Sequence, residues 1–359
     1  MKKIIFLIAS FFLLQFTNAQ TGLKTKNVIL ITLDGLRWQE VFGGADSLIL
    51  YNKEYVKNIK NIEGKYWNSD PVIRREMLMP FLWGTIENKG QLYGNRNVDS
   101  KVNVTNPYWF SYPGYNEILC GFADEKINTN GFGPNPNTNV LEYINKQKRF
   151  EGKTAAFTSW DAFPDILNEK RSGILVNAAF ENLEGDYGDK VAELNHIQYL
   201  LPDVFYGIRL DAVTFNLGFE YLKSQKPRFL FIGLDETDDF AHGGNYDYYL
   251  NSAHYSDKMI QELWQWLQSD PHYKDQTTIL ITCDHGRGIA PDKWKDHGTK
   301  AAGSDQTWFA IIGPDTPAMG EVHSGQFYNN QYAKTLAALL GLNYTSNNET
   351  GEVIKPVFK

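Results

Sequence analysis

Cysteine is scarce in this 359-residue chain, which holds only Cys120 and Cys283. Two thiols cannot staple a small disulfide scaffold. Cys283 falls inside an apolar run, so the expectation is two buried free thiols. Long apolar runs are also missing beyond residue 20, which leaves no later stretch able to cross a bilayer. No basic stripe interrupts a chain whose formal net charge is −7, and nucleic acid is therefore a poor partner. Internal repeats and low-complexity tracts are absent as well. What is present, 42% hydrophobic and 14% aromatic residues, is enough apolar material for a folded chain with a sizeable core.

The first twenty residues are the exception to the missing apolar run. Met1-Lys2-Lys3 is a short positive start, Ile4 to Phe16 is mostly apolar, and Thr17-Asn18-Ala19-Gln20 offers a small-residue cleavage site. That pattern reads as a secretory signal over 1–19, too short and wrongly flanked for a stable span. No cysteine follows the cleavage site, so a lipoprotein is not expected. Loss of Lys2 and Lys3 takes the net charge from −7 to −9. Cleavage near Ala19 implies a periplasmic or secreted protein. Residues 20–359 read as one domain, with about 161–212 as a lid segment because that stretch lacks a clean period.

Three runs share one grammar. Asn27-Val28-Ile29-Leu30-Ile31-Thr32-Leu33-Asp34-Gly35 is a strand pattern buried on both faces that ends in an acid and a glycine. Phe229 to Asp235 repeats it, and so does Thr278 to His285. Open α/β sheets place ligand-binding groups at the carboxyl ends of their strands. Further strands are expected near 90–95, 100–105, 154–160 and 308–314. Helical patterns over 215–223, 248–267 and 332–340 alternate with them. The strand–helix–strand order predicts a three-layer α/β/α sandwich around a largely parallel sheet.

The polar residues at these strand ends are the candidate chemistry. Ser111, followed by Tyr112-Pro113-Gly114 and a helical stretch, sits where free backbone N–H groups and the helix dipole favour an anion. A plain capping role for Ser111 is the alternative. Asp238 and His242, Asp284 and His285, and His297 lie beside glycine at strand or loop ends. The other four histidines (His196, His254, His272 and His323) lack such company. Carboxylate with imidazole suits zinc or a similar divalent ion. Each pair could be structural by itself, but the order Asp34, Ser111, Asp238, His242, Asp284, His285, His297 is much harder to obtain by accident.

Leu33-Asp34-Gly35, Phe110 to Gly114, Asp238 with His242, Thr282 to Gly286 and His297-Gly298-Thr299 together resemble the alkaline phosphatase superfamily of phosphatases, phosphodiesterases, sulfatases and cofactor-independent phosphoglycerate mutases. The resemblance runs from Val28 to about Leu340. It implies that Asp34, Ser111, Asp284 and His285 hold one divalent ion and Asp238, His242 and His297 a second. Zn2+ is favoured, with Mn2+ as the alternative. It further implies Ser111 as the nucleophile toward a small phosphate ester, through a phosphoseryl intermediate, with backbone N–H groups after Ser111 supporting the phosphoryl oxygens. Asn130, nineteen residues beyond Ser111, stands near where related phosphodiesterases place a phosphate-contacting Asn, with Asn128 competing. Where many members carry Thr-Phe-Pro-Asn, this chain has Ser111-Tyr112-Pro113-Gly114.

Within that resemblance the sulfatase reading is disfavoured, because formylglycine conversion needs an Arg two residues after the Pro and this chain has Tyr115. The mutase reading fits poorly with a shorter chain carrying an export signal. A secreted phosphoric-ester hydrolase is preferred, with monoesterase and diesterase both open. A monoesterase needs extra cations for a dianionic phosphate, and Arg37, Lys153, Arg171 and Arg287 are the possible suppliers. Arg287 follows the Asp-His pair and is expected to contact substrate, with Asp292 or Asp296 as competing partners. A catalytically silent metal-bound binding protein is the alternative of another class.

Overall fold

Val28 and Leu30 point into one apolar layer, and Ile29, Ile31 and Leu33 into the other. This alternation on a strand buried at every position is what a sheet covered on both faces requires. The computed structural model describes residues 22–359, so the signal read over 1–19 lies outside the described residues. The strands are β1 (Asn27–Leu33), β2 (Gln91–Tyr93), β3 (Ser100–Asn103), β4 (Thr154–Thr158), β5 (Leu175–Ala178), β6 (Phe229–Leu234), β7 (Thr277–Thr282), β8 (Gln306–Thr307), β9 (Phe309–Ile312), β10 (Gly320–Glu321) and β11 (Gly325–Tyr328). Eight of them form one sheet in the order β10-β2-β9-β7-β1-β6-β4-β5, and β11-β3-β8 form a second.

The run from β7 to β5 is parallel throughout, so Asp34, Asp235 and Asp284 emerge at one rim. β9 is antiparallel to both β7 and β2. The architecture is the expected three-layer sandwich around a mostly parallel sheet. The stretch 161–212 also holds a sheet strand, which the expectation of a lid did not include. It contributes β5, which pairs parallel with β4 at the sheet edge, because Val176 and Ala178 bury against the sheet's apolar layer. Four residues are too few to show a period, which is why the strand escaped the sequence reading.

Helices position the rest. α1 (Trp38–Gly43) follows the β1 rim, and α2 (Ser111–Cys120) is buried at all ten positions. α3 (Val140–Asn145), α4 (Asp211–Gln225), α5 (Glu236–His242), α6 (Tyr246–Ser269) and α7 (Tyr332–Leu339) complete the set used below. α4 and α6 cover one face of the sheet, and α2, α3 and α7 the other. α6 covers the helical pattern expected over 248–267 and is amphipathic, with Ile260, Leu263 and Leu267 buried. Cys120 and Cys283 are buried and free. Among the described residues no helix is long and apolar enough to cross a membrane.

Candidate metal centre

Glycine shapes the rim at Asp34. Gly35 takes a left-handed φ of 57°, and its N–H donates to Asp284 Oδ1 at 3.2 Å. A Cβ there would stand 2.6 Å from Asp238 Oδ1 and 2.8 Å from Arg287 Nη1. Only glycine lets β1, α5 and the end of β7 close on one point.

Ser111 is the first residue of α2. The capping position is Phe110, whose side chain makes no cap. The Ser111 hydroxyl is thus not used as a cap; it lies 3.3 Å from His285 Nε2. His285 Nδ1 pairs with the Gly286 carbonyl at 2.9 Å, which fixes the proton on Nδ1 and turns the Nε2 lone pair inward. Around Nε2 stand Asp34 Oδ1 at 3.4 Å, Asp284 Oδ2 at 3.5 Å and Asp238 Oδ1 at 3.8 Å. His297 Nε2 is 3.9 Å from Asp238 Oδ1 and 2.9 Å from His242 Nε2, and His242 Nε2 is 3.0 Å from Asp238 Oδ2.

All seven residues expected as ligands therefore converge. Asp34, Asp284 and His285 form one compact donor set and Asp238, His285 and His297 another. His285 borders both sets, a sharing that the sequence-based division between two ions did not contain. His242 stands at the outer edge and is the most exposed of the group.

These residues fit divalent cations on the evidence of their own unmet demands. Asp34 has one carboxylate oxygen bonded to the Tyr115 hydroxyl at 2.9 Å and the other buried without a partner. Asp284 repeats the arrangement, with one oxygen on the Gly35 N–H and the other orphaned. Buried carboxylate oxygens without donors are costly. Burial, then the charge of Asp238, holds the Asp34 carboxyl well above its usual range, and burial followed by Asp34 does the same to Asp284. Burial and then His285 pull the His297 imidazole down to about 2, so it is neutral and ready to donate a lone pair. Asp238 behaves oppositely: burial pushes it up, but Arg287 and His242 outweigh that and keep it ionised.

Arg287 is placed differently from the expectation. Its Nη1 donates to Asp238, its Nε to the Trp294 carbonyl at 3.0 Å, and its Nη2 to the Lys295 carbonyl. The guanidinium is buried and spent on protein groups, and neither Asp292 nor Asp296 is its partner. Arg37 is likewise buried against Glu40, and Arg171 is held against Glu142 and the carbonyls of 135–137. Lys153 precedes β4, at the opposite end of the sheet. None of the four cations offered by the sequence is left for a phosphate at the rim.

Asn130 does reach the site. Its Oδ1 accepts the Tyr112 N–H at 3.0 Å, directly behind Ser111. This bond changes the expectation for the helix terminus, because Pro113 has no N–H and Gly114 N–H goes to the Phe110 carbonyl at 3.0 Å. Of the N–H groups after Ser111 in this turn, Tyr112's is the one an anion could take, by displacing Asn130. Asn128 makes no comparable contact with this terminus.

Tyr115 and Gly114 were not singled out as site residues by the sequence. Tyr115 lies four residues after Ser111, hence on the same helical face, and that spacing was the available signal. A Cβ on Gly114 would meet the Asp284 carbonyl at 2.6 Å. The departure from Asn at this position thus lets α2 lie directly on the strand that carries Asp284.

The sheet and the convergence of acids and histidines at its rim define a member of the alkaline phosphatase superfamily. Residues 107–342 match the family model described as Sulfatase, and the chain belongs to that family. No curated protein matches the chain in sequence. Similar solved structures include the wild-type alkaline phosphatase PafA, at 11% identity with 95% of this chain and 100% of that chain covered and a TM-score of 0.60. The phosphonate monoester hydrolase of Agrobacterium radiobacter is 14% identical, with 93% and 77% covered and a TM-score of 0.57. Murine ectonucleotide pyrophosphatase/phosphodiesterase 5, in complex with AMP, is 12% identical, with 93% and 100% covered and a TM-score of 0.55.

Proposed function

We propose that this protein is an exported phosphoric-ester hydrolase that uses Ser111 as its nucleophile and prefers diesters. The observation that carries the reading is the Ser111 hydroxyl, unused as a cap and lying 3.3 Å from His285 Nε2 beside the two orphaned carboxylate oxygens. Asp34, Ser111, Asp284 and His285 would hold one divalent cation, and Asp238, His242 and His297 the second. Zn2+ suits this donor set, with Mn2+ as the alternative. When bound, such cations supply Lewis-acid charge that favours the Ser111 alkoxide and offsets negative charge as it develops.

The chain's own groups then have distinct tasks. Ser111 Oγ attacks phosphorus, and the bond to the leaving oxygen breaks as the Ser–O–P bond forms. Attack by water on the phosphoseryl group restores the serine. The Tyr112 N–H, released by Asn130, and the Asn130 carboxamide support the phosphoryl oxygens. Tyr115 and Gly35 hold Asp34 and Asp284 from behind.

The diester preference rests on the fates of Arg37, Lys153, Arg171 and Arg287. A monoester dianion needs cations that these residues do not supply, whereas a diester carries one charge. Sulfate esters are disfavoured because Tyr115 occupies the Arg position of the formylglycine motif and its hydroxyl is committed to Asp34. A silent binding protein is disfavoured because all seven side chains are retained and brought together. The test is turnover of aryl phosphate, bis-aryl phosphate and aryl sulfate before and after chelation. Faster bis-aryl phosphate hydrolysis, abolished by chelation and by Ser111→Ala, is the expected result. Undiminished turnover by Ser111→Ala would sink the mechanism. Cleavage near Ala19 would place the enzyme in the periplasm or outside the cell.

A further inference from the structure

A second concentration of charge lies at the amino ends of β1 and β6, at the far end of the sheet from Asp34. A cleft of about 300 Å³ opens there beside Gly22 and Leu340, lined by Lys26, Arg149 and Arg228. The seven residues of β1 separate it from the metal centre by about 20 Å at the usual strand rise. No carboxylate lines the cleft, and none of the three cations has an acidic partner among the described residues. Residues 1–21, which lead into Gly22, contain no aspartate or glutamate. Asp315, the acid that reaches this segment, is already bonded to the Lys24 and Thr25 N–H groups at 3.1 and 2.7 Å.

The three cations are held in place without being neutralised. The Arg149 and Arg228 guanidinium carbons lie 4.8 and 5.2 Å from the centre of the Phe150 ring. Arg228 Nε donates to the Lys26 carbonyl at 2.6 Å, Arg149 Nη2 to the Leu340 carbonyl, and Lys26 Nζ to the Leu23 carbonyl at 2.7 Å. Backbone carbonyls fix the positions and leave both Arg228 Nη groups and Arg149 Nη1 as donors. Fixed like charges in a half-enclosed cleft repel one another and focus a positive potential. A chain of net charge −7 has acids to spare, yet none is placed here.

We propose that this cleft binds a phosphate-type anion, either a free small phosphate or the headgroup of an anionic lipid, through the forked donors of the two arginines. Metal-loaded protein beginning at Gln20 would be titrated with inorganic phosphate and, separately, sedimented with phosphatidylglycerol or phosphatidylcholine vesicles. The expected result is a phosphate equivalent beyond the one at the metal centre, or a phosphatidylglycerol-dependent pellet, that weakens about tenfold or more in Arg149→Gln/Arg228→Gln. Diester turnover stays unchanged in that variant. The phosphate arm identifies a free ligand and the vesicle arm a lipid headgroup. Lys26→Glu, whose side chain bonds only Leu23, must show the same loss, and it serves if the double variant does not fold. A second phosphate equivalent and a pellet that both survive these substitutions unchanged, or the absence of both, overturns the proposal.

Discussion

The Tyr115 hydroxyl donates to Asp34 Oδ2 at 2.9 Å, joining the helix that carries Ser111 to the strand that carries a proposed metal ligand. The bond fixes which Asp34 oxygen remains for a cation. Tyr115→Phe keeps the packing and removes the donor. Groups that orient a ligand in this way are worth about 10–100-fold in metal affinity. Metal content after dialysis against a buffered-metal series should fall by that amount, and excess metal should restore turnover. Unchanged metal affinity would reduce Tyr115 to a packing residue.

Asn130 offers a sharper test of the anion site than Ser111 does. On the proposed mechanism Asn130→Ala removes one donor to the developing charge but also frees the Tyr112 N–H. The loss in kcat should therefore fall at or below the roughly 10²-fold typical of deleting one such donor. Steady-state kinetics on bis-aryl phosphate measure it. A rise in KM with kcat intact would instead make Asn130 a ground-state binding group.

Gly114→Asn introduces the residue that the family resemblance implies at this position, at a place where a Cβ would stand 2.6 Å from the Asp284 carbonyl. Over-packing of this kind costs about 1–3 kcal/mol. Denaturant titration should show that loss, with metal affinity reduced because Asp284 is displaced. A variant as stable as the parent would mean that α2 can shift outward freely.

Stripping metal should destabilise the protein more at neutral than at acid pH. In the cation-free state burial raises the Asp34 and Asp284 carboxyls, so folded protein holds protons that the unfolded chain releases. Stability of the stripped form then falls as pH rises above the ordinary carboxylate range. Cations bind the ionised form and reverse the trend, adding about 2.7 kcal/mol at a hundredfold excess over Kd. Melting curves with and without chelator at about pH 5 and about pH 7.5 decide this.

Asp257 provides a pH effect away from the metal centre. It caps the Phe81 and Leu82 N–H groups at 2.7 and 2.9 Å from within α6, and burial pushes its carboxyl up to about 7. The folded state binds the extra proton between the unfolded value of 3.8 and about 7. The penalty therefore grows across that window and is complete above it. Asp257→Asn removes the titration and keeps one acceptor. Relative to the parent it should gain stability as pH rises from about 4 to about 7, by an amount on the order of a few kcal/mol. A pH-independent difference between the two would refute the assignment.

The buried strands and the acids at their ends were legible because period, length and terminal residue are local properties. Asp34, Asp284 and His285 could be read that way, and so could the parallel core of the sheet. β5 was not, since four residues carry no period and its place is set by pairing with β4. Arg287 showed the same limit from the other side. Sequence placed it beside the ligands, but only the fold showed its guanidinium turned onto Asp238 and two carbonyls. The Tyr112–Asn130 bond and the Gly114 contact depend on approaches between segments apart in the chain, which no local pattern encodes.

The central position of β1 has a consequence for how the chain comes into being. Its neighbours, β6 at Phe229–Leu234 and β7 at Thr277–Thr282, are encoded far downstream of it. A chain emerging from the ribosome must carry Val28 to Leu33 without their permanent partners until most of the polypeptide exists. His297, synthesised later still, closes the donor set. Truncated products and growing chains thus lack the complete donor set, and the proposed centre is assembled only with near-complete synthesis.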